Sequence, residues 1–249
     1  MHKLIFNEWL KLFKKRSFFI SYLVMMVVIG GAAYFMKILA GGEKFAMRDF
    51  VFLGLSPSGF GALTALLVII STAGAVSKEF SQGTIKLLLI RAQSRSKILL
   101  SKYIVIFLYT VSLMLTSFVV SFIAGSLAFG AGTPSASWLD VGKVALSTLV
   151  YIEIFATITF MLGVLTRSTG ITVGITMLLI MMKDMTVALL SKYAFTKYLI
   201  FTNVDLSIYA GGGSPLPGMT LGFSLAVIAA YMVLFLLLSF VTFKKRDVA

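Results

Sequence analysis

The sequence contains no cysteine and a single histidine, His2. The first absence rules out disulfides and thiolate metal sites. The second removes HExxH-type metal centres and any serine–histidine pair in the body of the chain. No GxxxxGK[ST] phosphate loop occurs, so the chain has no route to ATP by that device. No catalytic, cofactor-binding or metal-ligating set emerges, and nothing argues for an enzyme. Acids are scarce as well, nine against 22 Lys and Arg, for a net charge of +13. In a soluble protein that balance would raise nucleic acid as a partner. Here charged residues make up only 12% and hydrophobic ones 59%, with a mean hydropathy of +1.01. Such a composition lies outside that of soluble domains. In a polytopic membrane chain, excess Lys and Arg fix orientation and meet anionic lipid. Membrane lipid is therefore the expected partner, and nucleic acid is set aside.

Six apolar runs reach the length of about 20 helical residues that a bilayer core requires. They lie near 18–36, 59–77, 103–129, 144–166, 170–190 and 219–243. The expected fold is an all-α polytopic membrane protein, one transmembrane domain over 1–249 with six transmembrane helices. With the N-terminus inside, fifteen Lys and Arg fall on the cytoplasmic side and seven outside. Glu43, Asp49, Asp140, Asp184 and Asp205 fall outside. This asymmetry favours both termini in the cytoplasm. A basic start and the Ala32-Ala33 pair imitate a cleaved signal peptide, but the segment before the first run is too long and too patterned for one.

That segment, 1–17, reads as an amphipathic helix. Ile5, Trp9 and Leu12 recur at helical spacing, flanked by Phe6, Leu10 and Phe13, while Asn7, Lys11 and Lys14 lie opposite. With Lys15 and Arg16 following, it suits the inner membrane interface before the chain turns into the first span. Between the second and third runs, 78–102 carries Lys78, Lys86, Arg91, Arg95, Lys97 and Lys102 against the single acid Glu79. Basic loops stay cytoplasmic, and this one, with helical periodicity after Gly83-Thr84, has the look of a docking surface for a cytosolic partner.

Within the spans, the small-residue run Ser71 to Ala75 and the Gly170/Gly174 pair permit close helix approach, as packing or as a seam with another subunit. Glu153 stands near mid-span in the fourth run, and an intramembrane carboxylate is a functional candidate by default. The other reading is a structural acid that bonds a Ser, Thr or Tyr of a neighbouring helix. Lys183-Asp184 reads as a local pair that reaches the interface. The outer stretch 191–218 places Tyr193, Phe195, Tyr198, Phe201 and Tyr209 at headgroup level as a short interfacial or re-entrant element, closed by the flexible 211–215.

The chain resembles the type 2 (ABC-2) permeases of ATP-binding cassette exporters, in architecture over its whole length. NEWLKLFKKRSFF resembles the family's interfacial elbow helix, with Trp9, Lys11, Lys14, Lys15 and Arg16. Glu79, Gly83, Thr84, the apolar stretch from Ile85, then Ser94, Arg95 and Lys102, resemble its coupling segment. Two positions depart from the family pattern: Ala92 where proline commonly precedes the Ser-Arg pair, and Ser101 where glycine often precedes the closing Lys. The small size and missing ATPase domain look most like permeases of bacterial antibiotic-peptide immunity and multidrug export. The resemblance implies a plasma-membrane subunit that exports an amphipathic or hydrophobic cargo. It implies a separate cytosolic ABC ATPase carrying ATP and Mg, and a second permease subunit, identical or similar. Two other readings stay open. One is a proton-coupled transporter using Glu153. The other is a non-transporting membrane partner or sensor.

Overall fold

A computed structural model of the chain describes residues 1–39, 45–81 and 94–245, with backbone alone at 78–81 and 95. The described residues form helices and connections without strands. In chain order they are α1 (His2–Phe13), α2 (Arg16–Leu39), α3 (Met47–Leu55), α4 (Gly61–Ser81), α5 (Arg95–Phe129), α6 (Trp138–Thr166) and α7 (Thr169–Leu190). A 3-10 turn (Ala194–Tyr198) and the one-turn α8 (Ile200–Asn203) and α9 (Ser207–Ala210) follow, before α10 (Leu221–Lys245). Five helices, α2, α5, α6, α7 and α10, are long and apolar enough to cross a membrane; the apolar part of α4, Gly61–Ser77, is shorter.

Two helices begin earlier than their apolar runs, α5 at Arg95 and α6 at Trp138. Hydropathy marks only the part that wants lipid, whereas a helix continues until its end groups find partners. At α6 these are supplied by a capping box: Ser137 Oγ accepts from the Asp140 amide, and the Asp140 carboxylate accepts from the Ser137 amide at 3.0 Å. At its other end Arg167 adopts the left-handed conformation (φ 56°) and Ser168 caps α7, so the two helices join in a tight hairpin.

α6 is the axis of the bundle. Every residue from Tyr151 to Phe160 is buried, and α3, α4, α5, α7 and α10 all pack on it. α7 by contrast buries only Thr172 and Thr176. Apolar packing supplies little preference for helix over lipid tail, so close approach and hydroxyl bonds between helices carry more weight. These run from Tyr103 to Thr157 (2.8 Å), Tyr22 to Ser112 (2.6 Å), Ser71 to Tyr109 (3.3 Å), Ser77 to the Gly163 carbonyl (3.4 Å) and Thr166 to Thr172 (2.8 Å). The Ser71–Ala75 run thus serves packing inside the chain, with Thr72 and Ala73 fully buried. Gly170 and Gly174 instead face open space.

α3 is a finding that hydropathy alone did not single out. It turns back against α5 and α6, burying Phe50, Val51 and Leu55. Gly54 makes this possible: a Cβ there would stand 2.1 Å from Ser121 Oγ and 2.8 Å from Ser121 Cβ, while Ser117 Oγ donates to the Gly54 carbonyl at 2.9 Å. Gly54→Val is expected to destabilise the fold by about 1–3 kcal/mol through overpacking. A thermal melt in detergent tests this against Gly30→Ala, where a Cβ meets nothing within 4 Å. Equal melting of the two variants would refute the close contact.

Candidate functional site

α1 folds against the start of α2 and the base of α5. The expected stripe is the one it buries. Leu12 is buried, and Ile5 and Trp9 pack on the core. Phe6 and Phe13 remain exposed, so the aromatic anchor of an interfacial helix falls to them and less to Trp9. Trp9 instead meets Phe18 edge-on at 6.1 Å, and Phe18 stacks on through Tyr22 and Tyr109, locking α1, α2 and α5 together. Lys11, Lys14, Lys15 and Arg16 are exposed at the same end.

Glu8 ties this helix down electrostatically. Its carboxylate meets Lys102 Nζ at 2.6 Å, with the side chains 11% and 6% exposed, and its other oxygen accepts from Lys11. Burial pushes the Glu8 carboxyl up. The attraction of Lys102 and hydrogen bonds from Lys102 and Lys11 outweigh that and hold it below the usual carboxylate range. The brace also fixes the first turns of α5, where Ile98 and Leu99 are buried and Ser101 Oγ donates to the Ile98 carbonyl at 2.8 Å.

Of the expected coupling residues, Glu79, Ser94, Arg95 and Lys102 fall within the described residues. Lys102 points inward, into the pair with Glu8. Ser94 is the exposed N-cap of α5, and Arg95 begins that helix, while Glu79 lies in the last turn of α4. Gly83, Thr84 and Ile85 lie outside the described residues, as does the short helix expected after them. Glu8 itself was missed by sequence reasoning. The signal available was a lone acid on an otherwise basic helix and a lysine entering an apolar run, 94 positions apart.

The second polar feature is Glu153, at mid-length in α6. It is 4% exposed, and among the described residues neither carboxyl oxygen finds a hydrogen-bond partner. Thr110 of α5 approaches it, but that hydroxyl is committed to the Ile106 carbonyl at 3.1 Å. Tyr103 faces the same region, and its hydroxyl is shared with Thr157, which donates to the Glu153 main-chain carbonyl at 2.6 Å. As donors these hydroxyls are spent elsewhere, while the Thr110 oxygen can still accept from the acid in its protonated form.

At the opposite end of the bundle from α1, α3, α6 and α9 surround a cavity of about 660 Å³. Its walls include Phe45, Phe52 and Val144 together with Asp49 and Asp140. The Asp49 carboxylate accepts from the Ser135 and Ala136 amides, each at 3.0 Å, and so holds the connection before α6 against α3. Of the aromatic stretch, Tyr193, Phe195 and Tyr198 are exposed, whereas Tyr209 bonds Ser224 of α10 at 2.8 Å. Lys183 pairs with its neighbour Asp184 at 2.7 Å.

Five long apolar helices, α6 their buried axis, with an amphipathic helix folded on one end, define an all-helical membrane protein. The chain belongs to the family described as "Protein of unknown function (DUF2705)", whose model it matches over residues 16–249. It is similar to "Uncharacterized protein YhcI" of Bacillus subtilis (strain 168), with 31% identity over 312 aligned positions spanning 100% of both chains. It is also similar to "Uncharacterized membrane protein YdbK" of the same organism, 29% identical over 251 positions that cover 96% of this chain and 99% of that one.

Proposed function

We propose that the chain is the membrane permease subunit of an ABC exporter of the bacterial plasma membrane. The observation that carries this reading is the Glu8–Lys102 brace, which joins an interfacial helix to the base of α5, where the basic segment 78–102 ends. A push delivered there by a cytosolic motor would reach α1, α2 and α5 together. In this reading α4 crosses the membrane as the sixth span, both termini are cytoplasmic, and 78–102 is the coupling segment. ATP and Mg belong to the separate ATPase, and Glu79, Thr84 and Arg95 contact it. The exposed apolar faces of α7 and α10 leave room for a second permease subunit. The cargo is amphipathic or hydrophobic (a peptide, drug or lipid-like molecule), which the mixed lining of the 660 Å³ cavity supports.

The test is co-purification of the detergent-solubilised chain with its host's ABC ATPases. Wild type is expected to bring one down, and the double variant Glu79→Ala/Arg95→Ala to lose it or leave it unstimulated. If the intact chain captures no ABC ATPase, the exporter reading fails. The unpartnered Glu153 carboxyl favours a second reading, a proton-coupled transporter, in which solute movement follows the proton gradient and needs no ATPase.

A further inference from the structure

A groove of about 370 Å³ runs between α2 and α5 at the end of the bundle away from α1. Gly30, Ala33, Ile123, Ala124 and Leu127 line its floor and walls, and Lys37 stands at its upper rim beside the exposed Tyr34. We propose that this groove holds an acyl chain of an anionic phospholipid, with the phosphate on Lys37. The inference rests on the membrane character of the chain and holds whether or not an ATPase drives it.

The polarity of the groove matches such a ligand along its length. Lys37 follows Gly30 by seven residues, or about 10 Å along a helix. The ammonium therefore sits at one end and hydrocarbon-lined space extends below it. Lys37 is exposed and makes one long hydrogen bond, to the Leu127 carbonyl at 3.3 Å. An ammonium has three donors, so capacity remains for a phosphate. Among the described residues no carboxylate pairs with it. The groove opens sideways through the flank of α2, whose Tyr34, Phe35 and Ile38 are exposed, toward the space that lipid occupies. A second copy of the chain seated here about a two-fold axis would bring its own Lys37 near this one and bury both, which costs more than it gains. Lipid leaves the charge at the headgroup level.

Glycine at position 30 keeps the floor open: a Cβ there would meet nothing within 4 Å, so a larger side chain enters the groove without displacing the fold. The neighbouring Gly31 is equally unhindered and lies outside the groove, which makes it the control. The experiment is native mass spectrometry of the full chain, purified in detergent and given phosphatidylglycerol or phosphatidylcholine of matched chain length. Wild type and Gly31→Leu are expected to retain phosphatidylglycerol in preference to phosphatidylcholine. Lys37→Gln should reduce that preference about fivefold, the share of one lysine near an anionic headgroup. Gly30→Leu, and Ala124→Leu from the opposite wall, should lose adducts of both lipids. Equal retention of the two lipids by wild type would overturn the proposal, as would adducts undiminished in both filled-groove variants. Should those variants keep lipid and instead turn a dimer into monomers, the groove is a seam between chains and the lipid assignment is wrong.

Discussion

Replacing Glu8 with alanine is expected to cost about 1.5–3 kcal/mol, because it removes a charge-assisted hydrogen bond from the buried Lys102 ammonium. Lys102→Met should cost less, because Lys11 still pairs with the acid. The pair made jointly apolar, Glu8→Met/Lys102→Met, should recover most of the loss, since desolvating two charges offsets much of their attraction. Melting of the four proteins in detergent forms a double-mutant cycle. Independent, additive effects would show that the contact is not what fixes α1. The same cycle separates rigidity from chemistry in the exporter reading. If α1 need only be attached to α5, the doubly apolar variant restores coupling with stability. If the charges themselves matter, it melts like wild type and stays uncoupled.

The pair also sets a pH dependence. The folded-state value of the Glu8 carboxyl lies below its ordinary one, so the unfolded chain takes up the proton first as pH falls. The stabilisation is therefore complete above the ordinary carboxylate value of about 4.3 and is lost as pH drops through the folded value. Wild type is expected to lose melting temperature as pH falls below about 4.3, and the doubly apolar variant to lose distinctly less over that range. A parallel decline in both proteins would place acid sensitivity elsewhere, with Asp49 the next group to examine.

What the sequence makes legible follows from how local each signal is. The apolar runs mark the long helices because lipid imposes a length and a composition on any chain that crosses it. The buried stripe Ile5–Trp9–Leu12 is equally plain, being a property of one helix alone. The true start of α6 is set by a polar cap. Ser137 and Asp140 at their three-residue spacing were open to reading, and hydropathy passed over them. α3 is nine residues long, too short to register as a span, and its burial depends on Gly54 meeting Ser117 and Ser121 more than sixty positions away. Glu8 and Lys102 have the same difficulty. Each is an ordinary charged residue in its own segment, and only the packing of α1 on α5 makes them a buried pair. Trp9 shows the same limit: its periodicity told which face it shared and not that Phe18 would meet it there.

Glu153→Met is expected to raise stability by about 1–3 kcal/mol, the cost of a buried polar group without a partner. Methionine matches glutamate closely in length and adapts to the space between α5 and α6. Glu153→Lys should instead abolish the folded protein, because burial at mid-helix strips an ammonium of its water. A melt that falls in Glu153→Met would mean that the carboxyl has a stabilising partner, such as a bound water or cation, and that the acid is structural. A melt that rises leaves the reason for an acid at this position to function, since proteins keep destabilising groups where activity needs them. Transport by the stabilised variant then decides between the two mechanisms. Loss of solute movement with the ATPase still bound and stimulated places Glu153 on the cargo route of an exporter. Loss of dependence on the proton gradient, with no ATPase in play, assigns it to proton coupling.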